Sequence, residues 1–401
     1  SPVPTDAGGA GNRARIATLI EAVKAWGHEV HFAYIRMEPA DRGAMEARFG
    51  QGRLHWLHYT LIRESLAVQW LRRFGRLARI DAAFMHRLDA WYQSGIDAQL
   101  RELHQRLRFE VVCVEYVFMS KALEAFPSDV LKLLDTHDSF GMRHRRYLAA
   151  GKKPQWFSTS LKAEELGFKR ANVVMAIQSD EARQFRERLG LPYQCEVVEV
   201  GHLLEEVVTV TPASSPRAIF VGSDNPINSS AIDAFMARVF PLIRKQIPDF
   251  QLLLAGSVCE AVKDYPGLVK LGFVDELSDA FGQAAVNINP VHMGTGINIK
   301  LLDAMAYGMP CVTTITGARG LERFGNKALW VLQDEDYAGF AQAVSALIAS
   351  ASLRERYGNA ARAAAIQWNA SQQANLRTLL TRAPAAQSNM RVDRVALSEG
   401  R

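Results

Sequence analysis

The stretch PVHMGTGINIKLLDAMAYGMP, residues 290–310, joins a glycine-rich loop to a helix that carries Lys300 and Asp303 about one turn apart. A loop of this kind lets a ligand approach backbone N–H groups, and the N-terminus of a helix attracts anions. We therefore expect a diphosphate to bind the loop and Lys300, and a ribose diol to donate hydrogen bonds to Asp303. The loop residues expected to contact the ligand are Gly294, Thr295, Gly296, Ile297 and Asn298.

Lys300 and Asp303 have a second interpretation, as an i,i+3 ion pair on the surface of the helix that contributes roughly 0.2–0.5 kcal/mol. The surrounding residues 297–314, INIKLLDAMAYGMPCVTT, are mostly hydrophobic. This setting places the two charges near the floor of a cleft rather than in open water, and it favours ligand binding over the surface pair.

Length and composition indicate a globular protein with two domains. The chain has 401 residues, more than one hydrophobic core usually serves, with 48% hydrophobic and 22% charged residues. Its apolar runs are too short to span a bilayer, and a net charge of +5 does not require a nucleic acid partner. The cysteines lie singly in apolar stretches without metal-ligand spacing, and we expect reduced core residues of a cytoplasmic protein at Cys113, Cys195, Cys259 and Cys311.

Short apolar runs alternate with helical patterns along most of the chain. Strands that are buried on both faces are predicted at FEVVCVEY, VLKLLDTHD, ANVVMAIQS, RAIFVGS, FQLLLAGS and AAVNINPV. The stretch GHLLEEVVTVTPASSP, residues 201–216, interrupts this rhythm, and its end, rich in small residues and proline, indicates a linker. The sequence therefore predicts an α/β protein with two doubly wound Rossmann-like domains that face a cleft.

The predicted domains are an N-terminal one at 1–205, a C-terminal one at 206–370, and a helix end with a polar tail at 371–401. The glycine-rich loop 5–13 leads into a helix with no strand before it. Because such a loop follows a strand in a βαβ unit, we expect the first strand to lie upstream of Ser1.

The loop TDAGGAGNR, residues 5–13, is a second candidate for phosphate binding. Gly8 and Gly9 precede a helix whose N-terminal amides and dipole favour an anion. A turn that needs glycine only for close packing explains these residues equally well, because a lone glycine cluster is a weak motif.

The run LLDTHDSFGMRHRRYL, residues 133–148, ends a predicted strand at a cluster of charged residues. At the strand end His137 faces the cleft, where it can orient a sugar hydroxyl or exchange a proton with it. Asp138 is more simply explained as a helix N-cap, and the arginines that follow are either anion contacts or a solvated helix face. The candidate contacts for phosphate or acceptor are Asp138, Arg143 and His292.

The stretch FVGSDNPINSSA, residues 220–231, combines a strand, a turn and a helix capped by Asn225 or Asn228. We expect Gly222 and Ser223 to contact a nucleotide diphosphate. The loop contains no lysine or arginine, and an ordinary capping turn explains it nearly as well.

Residues 61–88, LIRESLAVQWLRRFGRLARIDAAFMHRL, form a basic amphipathic pattern. Such a helix can rest on an anionic membrane and bring the protein to a lipid-linked substrate. The alternative is a helix that packs its apolar side inward and leaves its arginines in water.

Three segments together resemble a known family. The run NPVHMGTGINIKLLDAMAYGMPCVTTITGARGL, residues 289–321, is similar to the donor-binding segment of GT-B glycosyltransferases, specifically the retaining family-four (group 1) enzymes. The opening glycine loop, helix and GHEV strand at 2–31, and GFVDELSDAFGQAAVNINP at 272–290, are similar to other parts of the family pattern. The resemblance extends over residues 2–375.

The resemblance implies an enzyme that moves a sugar from a nucleotide sugar to a hydroxyl of a glycan or lipid-linked acceptor, as in bacterial surface polysaccharide or glycoconjugate synthesis. It implies that Gly8 and Gly9 face the donor phosphates, that Lys300 contacts the diphosphate, that Asp303 holds the ribose, and that His137 lies near the transferred sugar. The family is retaining and needs no metal, so no cofactor is expected beyond the nucleotide sugar. A cytoplasmic enzyme, peripheral on the inner face of the membrane, fits these properties.

The chain departs from the family pattern at several positions. Thr295 replaces the first glutamate of the Glu-x7-Glu pair, and Asp303 replaces the second. The cationic pair after the first strand of the second domain is absent from GSDNPINSS, residues 222–230, so Lys300, helix N-termini and Arg319 must neutralise the diphosphate. Two other functions stay open: a GT-B sugar-nucleotide epimerase, and a non-catalytic GT-B subunit that binds a partner transferase or a glycan.

Overall fold

The computed structural model divides into two compact units. The residues it describes are 1–5, 11–60, 64–149, 151, 153–154, 156–190, 195–205, 209–294 and 296–382. Among these, the first unit contains 1–5, 20–201 and 372–382, and the second contains 11–19 and 202–371. The predicted tail beyond residue 382 lies outside the described residues, and the predicted domain boundaries stay predictions.

The first unit contains two parallel sheets. Its strands are β1 (Phe32–Ile35), β2 (Leu54–Leu57), β3 (Val111–Glu115), β4 (Leu131–Asp135), β5 (Val173–Ala176) and β6 (Glu196–Glu199). β1 pairs with β2, and the other sheet has the order β3-β4-β5-β6. All four residues of β5 are buried, as expected for a parallel strand covered on both faces.

Helices connect these strands. The helices of the first unit, including α1, which is divided between the two units, are α1 (Gly11–Ala25), α2 (Arg42–Phe49), α3 (Leu66–Leu77), α4 (Ser94–Leu107), α5 (Arg143–Ala149), α6 (Leu161–Phe168) and α7 (Ser179–Leu189). Short 3-10 helices lie at Asp81–Ala83 and Val117–Ala125. The division between the two units falls within α1.

The second unit contains a six-stranded parallel sheet. Its strands are β7 (Arg217–Val221), β8 (Gln251–Ala255), β9 (Leu268–Gly272), β10 (Val286–Asn289), β11 (Cys311–Thr314) and β12 (Leu329–Leu332). They are ordered β12-β11-β10-β7-β8-β9. This is the strand order of a doubly wound dinucleotide-binding fold, in which the chain reverses direction across the sheet between β7 and β10.

Helices cover both faces of this sheet. They are α8 (Pro226–Arg238), α9 (Phe240–Gln246), α10 (Val258–Ala261), α11 (Leu277–Phe281), α12 (Ile299–Ala306), α13 (Tyr337–Ala349) and α14 (Ala351–Leu380), with a 3-10 helix at Glu322–Phe324. One core includes Phe235 and Phe340, and a second includes Leu301 and Trp368. None of the helices in the described ranges combines the length and hydrophobicity that a membrane crossing requires.

The predicted α/β class with parallel sheets is confirmed, and the strands predicted at the six apolar runs are present. The strand expected at GHEV, residues 27–30, begins instead at Phe32. The helix expected after Asn225 or Asn228 is α8, and it is followed directly by a separate helix, α9, which it meets at Val239. Pro241 lies in the first turn of α9, where its missing N–H leaves no hydrogen bond unmade.

Two further expectations are corrected. Of the basic pattern at 61–88 the structure describes 64–88, where the α-helix is limited to Leu66–Leu77 and a 3-10 turn follows at Asp81–Ala83. Cys113 is exposed, because it lies on β3 at the edge of its sheet, whereas the other three cysteines are buried.

Candidate functional site

The carboxyl ends of β7 and β10 lie side by side at the point where the strand order reverses. Ligands of open α/β sheets bind in the crevice outside such a point. The loop after β7 contains Gly222 and Ser223, and the loop after β10 leads through Gly294 to α12. A Cβ added at Gly294 would lie 3.7 Å from the side chain of Ile227 on α8. The structure therefore brings two of the predicted loops together.

Lys300 extends from the first turn of α12 to the start of α8. Its ammonium donates a hydrogen bond to Oδ1 of Asn228 and lies 4.2 Å from the centre of the Phe220 ring. Among the described residues, no carboxylate lies within ion-pair distance of it. Burial lowers the pKa of Lys300 to about 7, because a charge removed from water without a counterion is costly.

Asp303 lies one turn further along α12 and is also partly buried. Its pKa is raised to about 7, first by burial and second by the nearby charge of Glu205. Within the described residues it forms no ion pair with Lys300, so the surface ion pair allowed by the spacing is not present. No side chain in the described ranges of the chain donates a hydrogen bond to this carboxyl group, so it is available to a ligand.

Asn228 links the two sides of this site. Its side-chain NH2 donates to the Ser223 carbonyl at 2.8 Å, and its oxygen accepts from Lys300. The helix cap is Asn225, which accepts from the backbone N–H groups of Ile227 and Asn228 at 3.0 and 2.9 Å. Of the two predicted capping residues, Asn225 caps α8 and Asn228 positions Lys300.

Backbone geometry shows why glycine is required at this edge of the sheet. Gly294 and Gly296 have φ of 135° and 74°, which side chains rarely adopt. Gly256, after β8, has φ of 93°, and a Cβ there would lie 2.4 Å from the Gly222 carbonyl oxygen. Arg319 donates to the Gly294 carbonyl, so this arginine, which was expected together with Lys300 to compensate for the missing cationic pair, does lie at the loop.

The remaining predicted residues of this region are distributed as follows. Asn298 is the residue before α12, and its side chain donates to the Gly317 carbonyl at 3.1 Å. Ile297 and His292 are partly buried beside the loop. A Cβ at Gly11, the first residue of α1, would lie 3.2 Å from Ile299 of α12, so the helix that follows the opening loop begins beside α12. Outside the described residues lie Gly8, Gly9 and Thr295.

His137 is the centre of a second cluster, in the first unit. Its Nε2 lies 2.5 Å from an oxygen of Glu115 and 3.7 Å from an oxygen of Asp135. Both carboxylates end neighbouring strands, β3 and β4, and both are buried. The ring of His137 also stacks on Tyr116 with 4.2 Å between centroids. The imidazole is thereby fixed at the carboxyl end of the sheet.

Backbone strain is concentrated at this cluster. Tyr116, His137 and Trp156 have φ of 69°, 57° and 60°, in the left-handed region that bulky residues rarely occupy. The Trp156 ring meets Tyr116 edge-on at 5.1 Å. Left-handed residues of this kind each cost about 1–3 kcal/mol and are found most often at functional sites.

Asp138 and Arg143 bind one another, with 3.0 Å between Nε of Arg143 and a carboxylate oxygen. Asp138 also accepts from the Ser139 N–H at 2.8 Å and does not cap a helix, since α5 begins only at Arg143. Arg145 is bound to Asp81. The arginines of this run thus divide between internal ion pairs and the solvated face, with Arg146 exposed.

Ligand atoms of Glu115, Asp135 and His137 all lie within 4.8 Å of one another, close enough to share a metal ion. No metal was expected from the sequence, and that expectation stays a prediction. Glu115 and Tyr116 were not singled out in the sequence, because they lie 22 and 21 positions from His137 and are brought to it only by the pairing of β3 with β4.

Residues 215–350 match the family model described as Glycosyl transferases group 1. This range contains Lys300, Asp303 and both loops of the second unit. The match confirms the resemblance that the sequence motifs indicated, and it defines a glycosyltransferase group 1 domain in this chain.

Solved structures of glycosyltransferases share the fold across nearly the whole chain. Sucrose-phosphate synthase from Thermosynechococcus elongatus has a TM-score of 0.68 and 16% identity, covering 94% of each chain. Anabaena HepE in complex with UDP and glucose has a TM-score of 0.61 and 12% identity, covering 94% of this chain and 97% of its own. The lipopolysaccharide outer core galactosyltransferase WaaB has a TM-score of 0.57 and 12% identity, covering 94% and 97%.

A relative in sequence is an uncharacterized 44.6 kDa protein in the cps region of Klebsiella pneumoniae. It is 28% identical over 132 residues, which are 30% of this chain. The matched segment spans only 34% of the length of that relative.

Proposed function

We propose that the protein is a glycosyltransferase that moves a sugar from a nucleotide-sugar donor to a hydroxyl of a glycan or lipid-linked acceptor, in the synthesis of a bacterial surface polysaccharide or glycoconjugate. The observation that carries the proposal is Lys300, which lies at the switch point of a domain that matches the group 1 family model. This lysine is partly buried and has no ion-pair partner among the described residues. The cps-region relative and the fold shared with WaaB support the surface-polysaccharide role. The UDP bound in HepE makes UDP the first nucleotide to test.

On the donor side, Lys300 supplies the charge that the leaving group needs. A diphosphate beside the lysine favours the ammonium form, which then stabilises negative charge on the departing oxygen. Oδ1 of Asn228 accepts a hydrogen bond from the amine and so holds it in position. The backbone N–H groups of the loop before α12 bind the phosphates, and the Asp303 carboxylate accepts from the ribose hydroxyls.

On the acceptor side, His137 orients the attacking hydroxyl. Its ring is fixed by Glu115 and by stacking on Tyr116, so a hydroxyl that reaches it meets a rigid partner. We further propose that the reaction retains anomeric configuration: the acceptor attacks on the face that the diphosphate leaves, and the leaving phosphate oxygen takes the proton of the hydroxyl. The anomeric coupling constant of the isolated product decides between retention and inversion.

The test is an assay of the purified protein with nucleotide sugars and glycan acceptors, in which both the released nucleotide and the glycosylated product are quantified. Transfer that is lost in Lys300→Ala and kept in Lys263→Ala, an exposed lysine of the same unit, supports the proposal. Conversion of the donor sugar without nucleotide release would instead indicate an epimerase. Silence with every donor, together with a stable complex with another transferase, would indicate a non-catalytic subunit.

We also propose that the transfer is independent of a metal ion, with Lys300 in the role that a divalent cation would otherwise fill. Treatment with excess EDTA is expected to leave the transfer rate unchanged. A loss of activity that Mn²⁺ or Mg²⁺ restores would contradict this and would direct attention to Glu115, Asp135 and His137.

A membrane surface is the further partner we propose, and α3 is the element that supports it. The helix has five large apolar side chains that are 55–76% exposed, and its apolar positions share one face: Leu66, Trp70, Leu71, Phe74 and Leu77. None of its residues is buried.

The polar side of α3 is the side that packs on the protein. Arg72 binds Glu64 at 3.0 Å, and Nε of Arg76 donates to the Ala83 carbonyl at 3.1 Å. A Cβ at Gly75 would lie only 2.6 Å from the Ala83 Cβ, so the backbone is close to its neighbour on this side. The polar face of α3 therefore packs on the protein and its apolar face is exposed, which is the reverse of a surface helix in a monomeric protein.

Charge selects an anionic bilayer as the surface that covers α3. Arg73 lies over the Trp70 ring, Arg79 follows the end of the helix, and both are exposed, whereas the carboxylates of Glu64 and Asp81 are already bound to Arg72 and Arg145. Each arginine near an anionic lipid surface contributes about 1 kcal/mol, and the apolar face gains from insertion at the headgroup boundary.

A further inference from the structure

A pocket of about 260 Å³ opens in the first unit. The residues that define its chemistry are Met37, Glu38, Tyr59, Trp91, Phe118 and Trp156. Together with Pro2 and Val3 they form a lining that is half aromatic and contains one carboxylate.

The lining residues follow the carboxyl ends of three strands, β1 and β2 of one sheet and β3 of the other sheet of this unit. Met37 and Glu38 follow β1, Tyr59 follows β2, and Phe118 lies just after β3. Loops at this edge of an open α/β sheet form ligand sites, because the strands fix their positions while the loop sequences vary.

Three of the rings form a continuous wall. Phe118 lies 5.1 Å from Trp91 and 5.4 Å from Trp156, measured between ring centroids. Trp156 is 44% exposed even though it contacts these rings, so one surface of the indole is open. Phe118 is buried, so Trp156 is the exposed ring of this wall, and aromatic side chains of this kind are common in the lining of ligand pockets.

The wall joins the pocket to His137 through a single residue. Both Phe118 and Trp156 lie 5.1 Å from the ring of Tyr116, and that ring stacks on His137 at 4.2 Å. Tyr116, His137 and Trp156 are also the left-handed residues of this cluster. Backbone strain thus occurs at Tyr116, which lies between the pocket and His137, and at two of the residues that its ring contacts.

We propose that this pocket binds one sugar ring of the glycan acceptor, with the C–H face of a pyranose stacked on Trp156 and its hydroxyls directed to the Glu38 carboxylate. The identification of this sugar as part of the acceptor rests on the proposed function, whereas the binding of a sugar to the pocket does not. Pockets for drug-sized ligands occupy about 300–1,000 Å³, so 260 Å³ fits one ring and is too small for a whole nucleotide sugar. The carboxylate selects a polyhydroxylated ligand over an isoprenyl chain.

Binding is tested without any transfer, by saturation-transfer NMR on the full chain with methyl glycosides of glucose, galactose, mannose, rhamnose and N-acetylglucosamine. At least one glycoside is expected to receive saturation in the native protein. That signal is expected to weaken about tenfold in Trp156→Ala, to return largely in Trp156→Phe, and to be unchanged in Phe273→Ala, an exposed aromatic of the second unit.

Three outcomes would overturn the proposal. They are silence of all five glycosides, signals that persist in Trp156→Ala, and saturation only of the prenyl protons of farnesyl monophosphate added as a competitor. Calorimetry with UDP on the same samples separates the two claims. Glycoside silence with intact nucleotide binding removes the pocket and leaves the transferase, whereas Trp156-dependent glycoside binding with no nucleotide bound removes the transferase and leaves a sugar site.

Discussion

Lys300 and Asp303 have opposite charges, and burial shifts both of their pKa values to about 7. The cause is the same for each: the charged form is removed from water, and the described residues give it no counterion. Two such groups one turn apart indicate a place that a ligand completes. A bound diphosphate would stabilise the ammonium form of the lysine, and a diol would donate hydrogen bonds that stabilise the carboxylate.

The affinity for UDP-glucose is predicted to be greatest near pH 7. Above that pH, Lys300 is neutral in the free protein and must gain a proton on binding, so affinity falls up to about tenfold per pH unit. Below it, Asp303 is protonated and must lose its proton, so affinity falls on that side too. Isothermal titration calorimetry from pH 5.5 to 9 measures both limbs, and UDP-glucose is suitable because its diphosphate does not titrate in this range.

Variants assign the two limbs. Lys300→Gln is expected to bind at least about tenfold more weakly and to lose the fall above pH 7, since it lacks the charge-assisted hydrogen bond. Asp303→Asn is expected to lose the fall below pH 7. Asp249→Asn, at an exposed position of the same unit, serves as the control. A profile that is flat in the native protein would show that neither group titrates on binding.

Among the elements, the turns after β7 and β8 depend on one another. The Gly256 position has a left-handed φ, and any side chain there would meet the Gly222 carbonyl at 2.4 Å. Gly272, the last residue of β9, also has a left-handed φ of 71° but open space around it. The pair separates the effect of backbone conformation from the effect of the close contact.

Gly256→Ala is predicted to destabilise the second unit by about 3 kcal/mol or more, because it adds a clash with backbone to the cost of the conformation. Gly272→Ala is predicted to cost only about 1 kcal/mol. Chemical denaturation monitored by tryptophan fluorescence compares the two. Equal losses would mean that the turns after β7 and β8 can move apart without cost, and that the Gly222 turn is not fixed by its neighbour.

At α3, the apolar face decides whether the protein binds lipid. The native chain is expected to sediment with vesicles that contain phosphatidylglycerol and not with vesicles of phosphatidylcholine alone. The double variant Leu71→Glu, Phe74→Glu is expected to lose at least about tenfold in binding, since each buried side chain of this kind contributes about 1.5–3 kcal/mol. Leu166→Glu, a 55% exposed leucine on α6, is the matched control.

Either of two results would contradict the role given to α3. One is vesicle binding that survives the double variant. The other is a native protein that dimerises through α3 in size-exclusion chromatography with light scattering and ignores vesicles, which would assign the apolar face to a second copy of the chain.

For the whole molecule, the sequence predicted what local patterns encode. Near-continuous apolar runs gave the parallel strands, and the glycine loop with Lys300 and Asp303 gave one of the two candidate sites. The short strand β2 was missed because LHWL mixes polar and apolar residues and is only partly buried along most of its length.

What sequence reasoning missed depends on distant contacts. Asn228 is 72 positions from Lys300, and no local pattern separates an asparagine that caps a helix from one that holds a lysine. Glu115 meets His137 through the register of two strands. The orientation of α3 follows from Gly75, whose missing side chain lets the polar face approach Ala83, whereas amphipathicity alone predicts the opposite packing.

The most direct test of the account is nucleotide binding to the whole chain, followed as a shift in thermal unfolding with UDP, GDP, ADP and CMP. A nucleotide at a hundred times its dissociation constant adds about 2.7 kcal/mol to the free energy of unfolding. The account predicts that one nucleotide, with UDP first, stabilises the native protein and the Lys263→Ala control, and that Lys300→Ala, which is expected to bind at least about tenfold more weakly, loses about half of this stabilisation or more. Stabilisation by none of them, or equal stabilisation of Lys300→Ala, would contradict the assignment of this site to a nucleotide-sugar donor.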